Sequence, residues 1–377
     1  MEPIDPDQRE LRATVRRVLE RQAVEELPAG GYDPKLWRLL TEQVGVTSLA
    51  VPERFGGSGA GYVECHLVLE ELGRGAVSSP FLASAVLSVQ ALLLSGSMED
   101  ADVAELLSSL AAGTRTATVI LPGSLTASLT AGGWVLNGRA EQVLDGARTD
   151  DLLAYAETDT APGTALFRLD ANHPGLRREH TPTVDQSLHL AEVECRAVPA
   201  HLLSETGEDA PTAETKLPSS KISDLAAIAI TADQIGGARR CLELTVDHVK
   251  TREQFGRPIG SFQAIKHRLA DLLVLVESAH SASYAAAQAW ADDTDDAPLL
   301  ASLAKSYCSE AYRAVTAETI QLHGGIGFTW EHPAHRYFKR AQATAVLFGD
   351  PACHRARLAQ SLGWTEGIDH PGGSSLP

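Results

Sequence analysis

Cysteines are few and scattered: Cys65, Cys195, Cys241, Cys308 and Cys353, an odd number with no CxxC pair. That excludes a disulfide framework and a cysteine-based zinc site, and it fits reduced, mostly buried thiols. Aromatic residues make up only 5% of the chain. Alanine and leucine dominate instead, which favours packed helices over extensive sheet. Basic residues are the minority charge, and the formal net charge is −17. The chain has no run of five or more Lys and Arg, so the clustered cations that bind phosphate backbones are missing and nucleic acid is excluded as a partner. The longest apolar stretch, near Phe81–Leu94, carries several serines and a glutamine and is too short to cross a bilayer. Met1-Glu-Pro-Ile-Asp-Pro-Asp has neither a basic nor an apolar leader region, so no signal peptide and a cytoplasmic location are expected.

At roughly 100–200 residues per domain, the 377 residues allow two or three domains. Helical spacing of apolar positions predicts helices over Asp7–Leu27, Pro34–Val44, Gly61–Leu72, Ser79–Ser95 and Asp100–Ala112. Near Thr116 the pattern changes. Thr116–Leu121, Gly133–Leu136, Glu141–Leu144, Asp151–Ala156, Thr164–Leu169 and Leu188–Val193 are short, bounded by turn residues, and read as strands. Trp134-Val-Leu-Asn-Gly138 reads as a strand entering a tight turn. After a polar linker, Ser204–Pro218, four long amphipathic stretches follow: Ile222–Arg252, Ser261–Asp292, Pro298–His323 and Pro333–Leu362. The expected fold is α+β and mostly α. A helical domain spans residues 1–115, a central β barrel or sandwich 116–218, a four-helix bundle 219–362 and a disordered tail 363–377.

Two segments can carry chemistry. Thr251–Gln263 leaves one long helix, turns through Gly256-Arg-Pro-Ile-Gly260 and enters the next. Arg252 suits a diphosphate, Phe255 offers an apolar face, and Gln263 can bind a purine or ribose. Gln321-Leu-His-Gly-Gly-Ile-Gly327 ends a helix in three glycines that let a bulky ligand approach the backbone. Taken singly, each segment also fits an ordinary helix end. His323, His332, His335 and His354 lie close in sequence, but no carboxylate stands behind them, and no metal site is expected.

Together, Thr-Arg-x-Gln-Phe-Gly-x-Pro-Ile-x-x-Phe-Gln and, about 60 residues on, Gln-x-x-Gly-Gly-x-Gly-Phe resemble the C-terminal signature of the acyl-CoA dehydrogenases. Thr329-Trp-Glu-His-Pro-Ala-His-Arg336, Val51-Pro-Glu-Arg-Phe-Gly-Gly-Ser-Gly and Leu69-Glu-Glu-Leu-Gly-Arg74 extend the resemblance to nearly the whole chain. It implies an FAD flavoprotein acting on an acyl-CoA, with electron-transfer flavoprotein as acceptor. Each FAD of this family lies between subunits. By resemblance, Arg252, Phe255, Gln263, Gln321, Gly324 and Gly325 serve its diphosphate and adenosine.

The departures fall elsewhere. The family's usual catalytic glutamate maps to Phe348, and the minority position maps to Ala226. Asp350 and Asp224 are the nearest carboxylates; each lies two residues off and also suits a helix end. Val119-Ile-Leu-Pro-Gly-Ser124 lacks the Thr-Glu of the flavin-cradling loop. After Asn137-Gly-Arg139, Gln142 and Leu144 replace the family's Trp and Thr contacts, and an arginine of the acyl-CoA pocket maps to Ala227. What serves a neighbour's adenosine is present, and what serves this chain's own flavin ring and proton transfer is missing. The expectation is the base-lacking subunit of an α2β2 acyl-CoA dehydrogenase of fatty acid or steroid catabolism, like those of actinobacteria. A homotetramer using an unrecognised carboxylate, a non-redox scaffold subunit and an enzyme of other flavin chemistry are the alternatives.

Overall fold

The computed structural model describes residues 5–21, 31–160, 163–203 and 218–364. The end of the first predicted helix, most of the Ser204–Pro218 linker and the tail beyond Trp364 therefore lie outside the described residues.

The N-terminal part is helical. Helix α1 (Pro6–Arg21) is followed by α2 (Pro34–Arg38), which opens on the Asp33 cap and continues as a π-helical turn to Val44. Helix α3 (Tyr62–Gly75) comes next. The stretch predicted as one helix over Ser79–Ser95 is instead a π-helical segment, Phe81–Ser88, running into α4 (Val89–Leu94). All eight residues of the π segment are buried. Helix α5 (Ala101–Ala111) is capped by Asp100, whose side chain accepts from the amides of Asp102 and Val103.

Seven strands form the middle: β1 (Ala117–Ile120), β2 (Leu125–Thr130), β3 (Gly133–Leu144), β4 (Asp151–Thr158), β5 (Thr164–Leu169), β6 (Leu176–Thr181) and β7 (Leu190–Leu202). The order is β1-β4-β2-β3-β7-β5, and an additional β4–β5 pairing joins the ends of β4, β2, β3, β7 and β5 into a ring. β6 is too polar to have been seen in the sequence, and β2, although its Leu125 and Ala127 alternate with polar residues, is only six residues long. The turn expected at Asn137-Gly138 is absent: β3 runs on to Leu144 through two irregularities in its pairing with β7. Gly138 has φ +130°, and a Cβ there would stand 2.4 Å from the Ser124 carbonyl oxygen. Asn137 Oδ1 accepts from the Ala197 amide at 2.8 Å. Both turn-forming residues thus serve a bulge.

The C-terminal part holds three long helices, α6 (Pro218–Thr251), α7 (Gln263–Ala291) and α8 (Ala297–His323). Between α6 and α7 lies a small hairpin of β8 (Glu253–Gln254) and β9 (Arg257–Pro258). The fourth predicted helix, Pro333–Leu362, is two: α9 (Ala334–Val346) and α10 (Pro351–Ser361). Phe348 and Gly349 have φ of +60° and +94°, which no helix tolerates, and Pro351 then opens the next helix.

Helix α6 is the hub. A Cβ on Gly236 would stand 1.8 Å from the Glu70 carbonyl oxygen, and one on Gly73 would stand 2.1 Å from that of Asp233. Reciprocal glycines therefore let α3 and α6 cross backbone to backbone. Beside the crossing, Arg340 of α9 grips Asp233 of α6 through Nε and Nη2, at 2.9 and 2.6 Å, with both residues buried. The main core runs from Val15 through the N-terminal helices and β1 to Ile222–Ala232 and Leu347, so it joins all three parts. Among the described residues no helix is long and apolar enough to cross a membrane.

Candidate active site

The first segment is built by the end of α6 and the hairpin. Arg252 N–H donates to the His248 carbonyl at 2.8 Å, and the Arg252 carbonyl accepts from Ile259 N at 2.8 Å, so the chain closes on itself around the turn. Gln254 pairs with Arg257, leaving Phe255 and Gly256 as the turn, with φ of +53° and +74°. Two left-handed residues make the tight turn that matches hairpin twist. For Phe255 that conformation is unusual, and its ring is 91% exposed. The Arg257 guanidinium sits 4.0 Å from the Phe262 ring centroid.

The second segment follows α8. Gly324 has φ +64°, and no atom stands within 4 Å of a Cβ built on Gly324 or Gly325. Arg252, Phe255, Gln263, Gln321, Gly324 and Gly325 are all exposed. The structure brings the two segments together through His248 and His323, whose rings stack with centroids 4.3 Å apart. His248 lies one turn before Arg252, and His323 directly precedes Gly324. The resulting surface offers a guanidinium, two amides, open backbone and an exposed aromatic ring. This donor set fits a dinucleotide: a cation for diphosphate, amides for purine or ribose, and backbone that a large ligand can reach. Phe328 and Trp330, 84% and 82% exposed, continue it.

The position expected of a base is built differently. The loop between α9 and α10 is held from three sides. Lys305, wholly buried, donates from Nζ to the carbonyls of Thr344 and Ala345 at 3.1 and 2.9 Å and to Ser309 Oγ at 3.1 Å. Burial pushes its ammonium down to about 8. His354 donates from Nε2 to the Phe348 carbonyl at 2.9 Å. Asp350 caps α10 by accepting from Cys353 N at 2.7 Å. This fixed loop presents Phe348 to a cavity of about 210 Å³ that it shares with Leu87, Val119, Leu144, Gln142 and Glu141. Gln142, at φ +56°, is a second left-handed residue on the wall.

Neither candidate carboxylate stands free in this cavity. Asp350 is occupied as a cap, and Asp224 is buried in an ion pair with Arg357 of α10. Ala226 and Ala227 are fully buried in the main core. Glu141, which sequence reasoning passed over, is the one carboxylate among the cavity's described lining residues. Its signal was weak because strand alternation alone leaves it on a solvent face, and it meets Arg139 at 3.7 Å. The four histidines form no common cluster: His332 packs tilted against His323, His335 packs against Trp330 and His354 joins the Phe348 loop. Among the described residues only Asp100, Asp102 and His201 bring three ligand atoms within 4.8 Å, on the surface.

Comparison with known proteins covers both ends of the chain. The family model of the acyl-CoA dehydrogenase N-terminal domain matches residues 5–114, and that of the acyl-CoA dehydrogenase C-terminal domain matches 222–363. Acyl-CoA dehydrogenase IpdE2 of Mycolicibacterium smegmatis is 38% identical over 92% of this chain and 96% of its own length. Among solved structures, the ChsE4–ChsE5 complex of Mycobacterium tuberculosis is 30% identical with a TM-score of 0.85, covering 98% of this chain and 99% of that one. The Tcur3481–Tcur3483 steroid ACAD is 29% identical with a TM-score of 0.86, covering 97% and 99%.

Proposed function

The chain belongs to the acyl-CoA dehydrogenases, FAD-dependent oxidoreductases, and on that premise we propose that it completes a partner subunit's FAD site without supplying the catalytic base. Bound FAD would supply a hydride acceptor for the acyl group's β-carbon, and the α-proton would need a carboxylate base. The residues of this chain would then act at a distance from that chemistry. Arg252 would hold the diphosphate, Gln263 and Gln321 would orient the adenosine, Phe255 would cover it, and Gly324 and Gly325 would admit it to the backbone.

The observation that carries this reading is Phe348. An aromatic ring occupies the loop position of the usual base, on a backbone pinned by Lys305 and His354. A phenyl ring cannot accept the α-proton. The cavity in front of it, about 210 Å³, is smaller than the roughly 300–1,000 Å³ of ordinary ligand sites. The exposed Phe255, Phe328 and Trp330 support a protein partner over that end of the bundle. The likeness to the ChsE4–ChsE5 complex and the Tcur3481–Tcur3483 steroid ACAD supports an unlike homologous subunit and a steroid-derived acyl-CoA as substrate. An α2β2 assembly, a branched acyl-CoA and electron-transfer flavoprotein as acceptor rest on the family resemblance alone. The cytoplasm is the compartment consistent with this role.

A second reading, the homotetramer with its own base, rests on Glu141 at the cavity wall. Purification of the tagged full chain from its native cells separates the two. An unlike acyl-CoA dehydrogenase subunit in equal amount, and loss of FAD from the assembly on Arg252→Ala, are expected. A self-assembled, active protein silenced by Glu141→Gln would establish the second reading instead.

A further inference from the structure

Three imidazoles stand in series beneath the two exposed segments. His248, near the end of α6, stacks on His323, the last residue of α8, with centroids 4.3 Å and planes 28° apart. His323 meets His332, from the turn before α9, again at 4.3 Å. The middle ring is buried, and its Nδ1–H donates to the Thr319 carbonyl at 2.7 Å. That bond fixes Nδ1 as the donor.

Among the described residues, the charged groups that act on the stack are basic. Arg252 faces it from the end of α6; His335, Arg336 and Lys339 stand beyond it on α9. Glu331, next to His332 in sequence, is exposed to solvent. Burial, then His323 and Arg252, lower the His248 imidazole below its ordinary value. Burial, then His323, His248 and His335, lower His332 to about 4. His335 is lowered by burial, then by Lys339 and Arg336. The His248 and His332 rings therefore sit in a positive field, within a chain of net charge −17. A cluster of this kind gains from an anion.

We propose that the His248–His323–His332 stack is a proton-accepting part of the anion site at Arg252, and that binding of a diphosphate there draws a proton onto the stack. This rests on the reading that Arg252 and the glycine segment receive FAD. The anion offsets the positive field at His248 and His332, and the imidazolium it favours then strengthens the anion's hold. The proton belongs to the coupled stack as a unit. Because the stack joins α6 to α8, its charging ties both segments to one ligand.

The test is calorimetric. FAD is titrated into the deflavinated full chain, in the assembly it purifies in, using two buffers of different ionisation enthalpy. The diphosphate diester of FAD does not itself titrate between pH 6 and 8. We expect uptake of up to one proton, and an affinity that weakens from pH 6 to 8 by up to about tenfold per unit. The His248→Gln, His332→Gln double variant should bind FAD with much reduced uptake and a flatter pH profile. Should it not fold, the single His332→Gln variant, altered at a half-buried ring, should show a reduced uptake. FAD binding without proton uptake, or uptake undiminished in the variants, overturns the proposal while the cofactor reading stands. Failure of the assembly to bind FAD at all overturns both.

Discussion

The carbonyl oxygen of Phe348 accepts a hydrogen bond from Nε2 of His354 at 2.9 Å, and this bond holds a bulky residue at φ +60°. Left-handed backbone is costly for Phe, so the surrounding contacts must over-determine it. Gly349 beside it has φ +94°, and a Cβ there would stand 2.8 Å from the same His354 nitrogen. Gly349→Ala should therefore destabilise the protein by about 1–3 kcal/mol, measured by denaturant unfolding. Unchanged stability would mean that the loop is not pinned as described.

Restoring the carboxylate at this loop should not restore a site. Phe348→Glu would set an acid among Leu87, Val119 and Leu144, with Gln142 and Leu144 where the family has its flavin contacts. Desolvation would keep that acid protonated and a poor base. Turnover per assembly is expected to stay level in a steady-state assay with an acyl-CoA and an artificial electron acceptor. A gain in turnover would show that only the base had been missing.

Asp145 makes stability depend on pH. Burial pushes its carboxyl up to about 7, against a smaller opposing effect of Arg148. An unfolded aspartate ionises near ~3.9, so between these values the folded chain holds the extra proton. Stability thus falls as pH rises through that window and is level above it, a loss on the order of 4 kcal/mol at most. Asp145→Asn, which tolerates the left-handed φ of +55° at this position, should stabilise the protein at pH 8 and change little at pH 4. Melting temperatures across that range decide it.

Arg340 and Asp233 join α9 to α6 in the buried heart of the molecule. Asp233→Ala leaves a buried guanidinium without its partner and should cost about 3–5 kcal/mol. The double variant Asp233→Leu, Arg340→Met should cost less, since no charge is then stranded. Thermal unfolding of the two variants compares them directly. Equal losses would place the pair's contribution in packing alone.

Much of the fold was legible because helix periodicity is long-ranged: α6, α7 and α8 were found almost to their ends. What escaped was set by local backbone that periodicity cannot report. Phe348 and Gly349 split the last helix through positive φ, and Pro351 then reads equally as a helix interior or a start. Asn137-Gly138 carries hairpin residues yet forms a bulge, because its constraint is the Ser124 carbonyl across the sheet. β6 is nearly all polar, and only its pairing with β7 makes it a strand. At the site, the positions offered to a cofactor came from resemblance to a family signature, and all six are exposed. The histidine stack was invisible because its members lie 75 and 9 residues apart in sequence and meet only where α6, α8 and the turn before α9 converge. Glu141 escaped because only the cavity wall, and not strand alternation, brings it near Phe348.

The central claim is that this chain offers half of a flavin site, and the direct measurement is FAD content. Flavin absorbance, released by denaturation, is counted per chain in the purified assembly and in the chain purified alone, each then challenged with an acyl-CoA. The account predicts one FAD for each pair of unlike subunits in the assembly, bleached by substrate, and little or none on the isolated chain. An isolated chain holding one FAD apiece that an acyl-CoA reduces would contradict it.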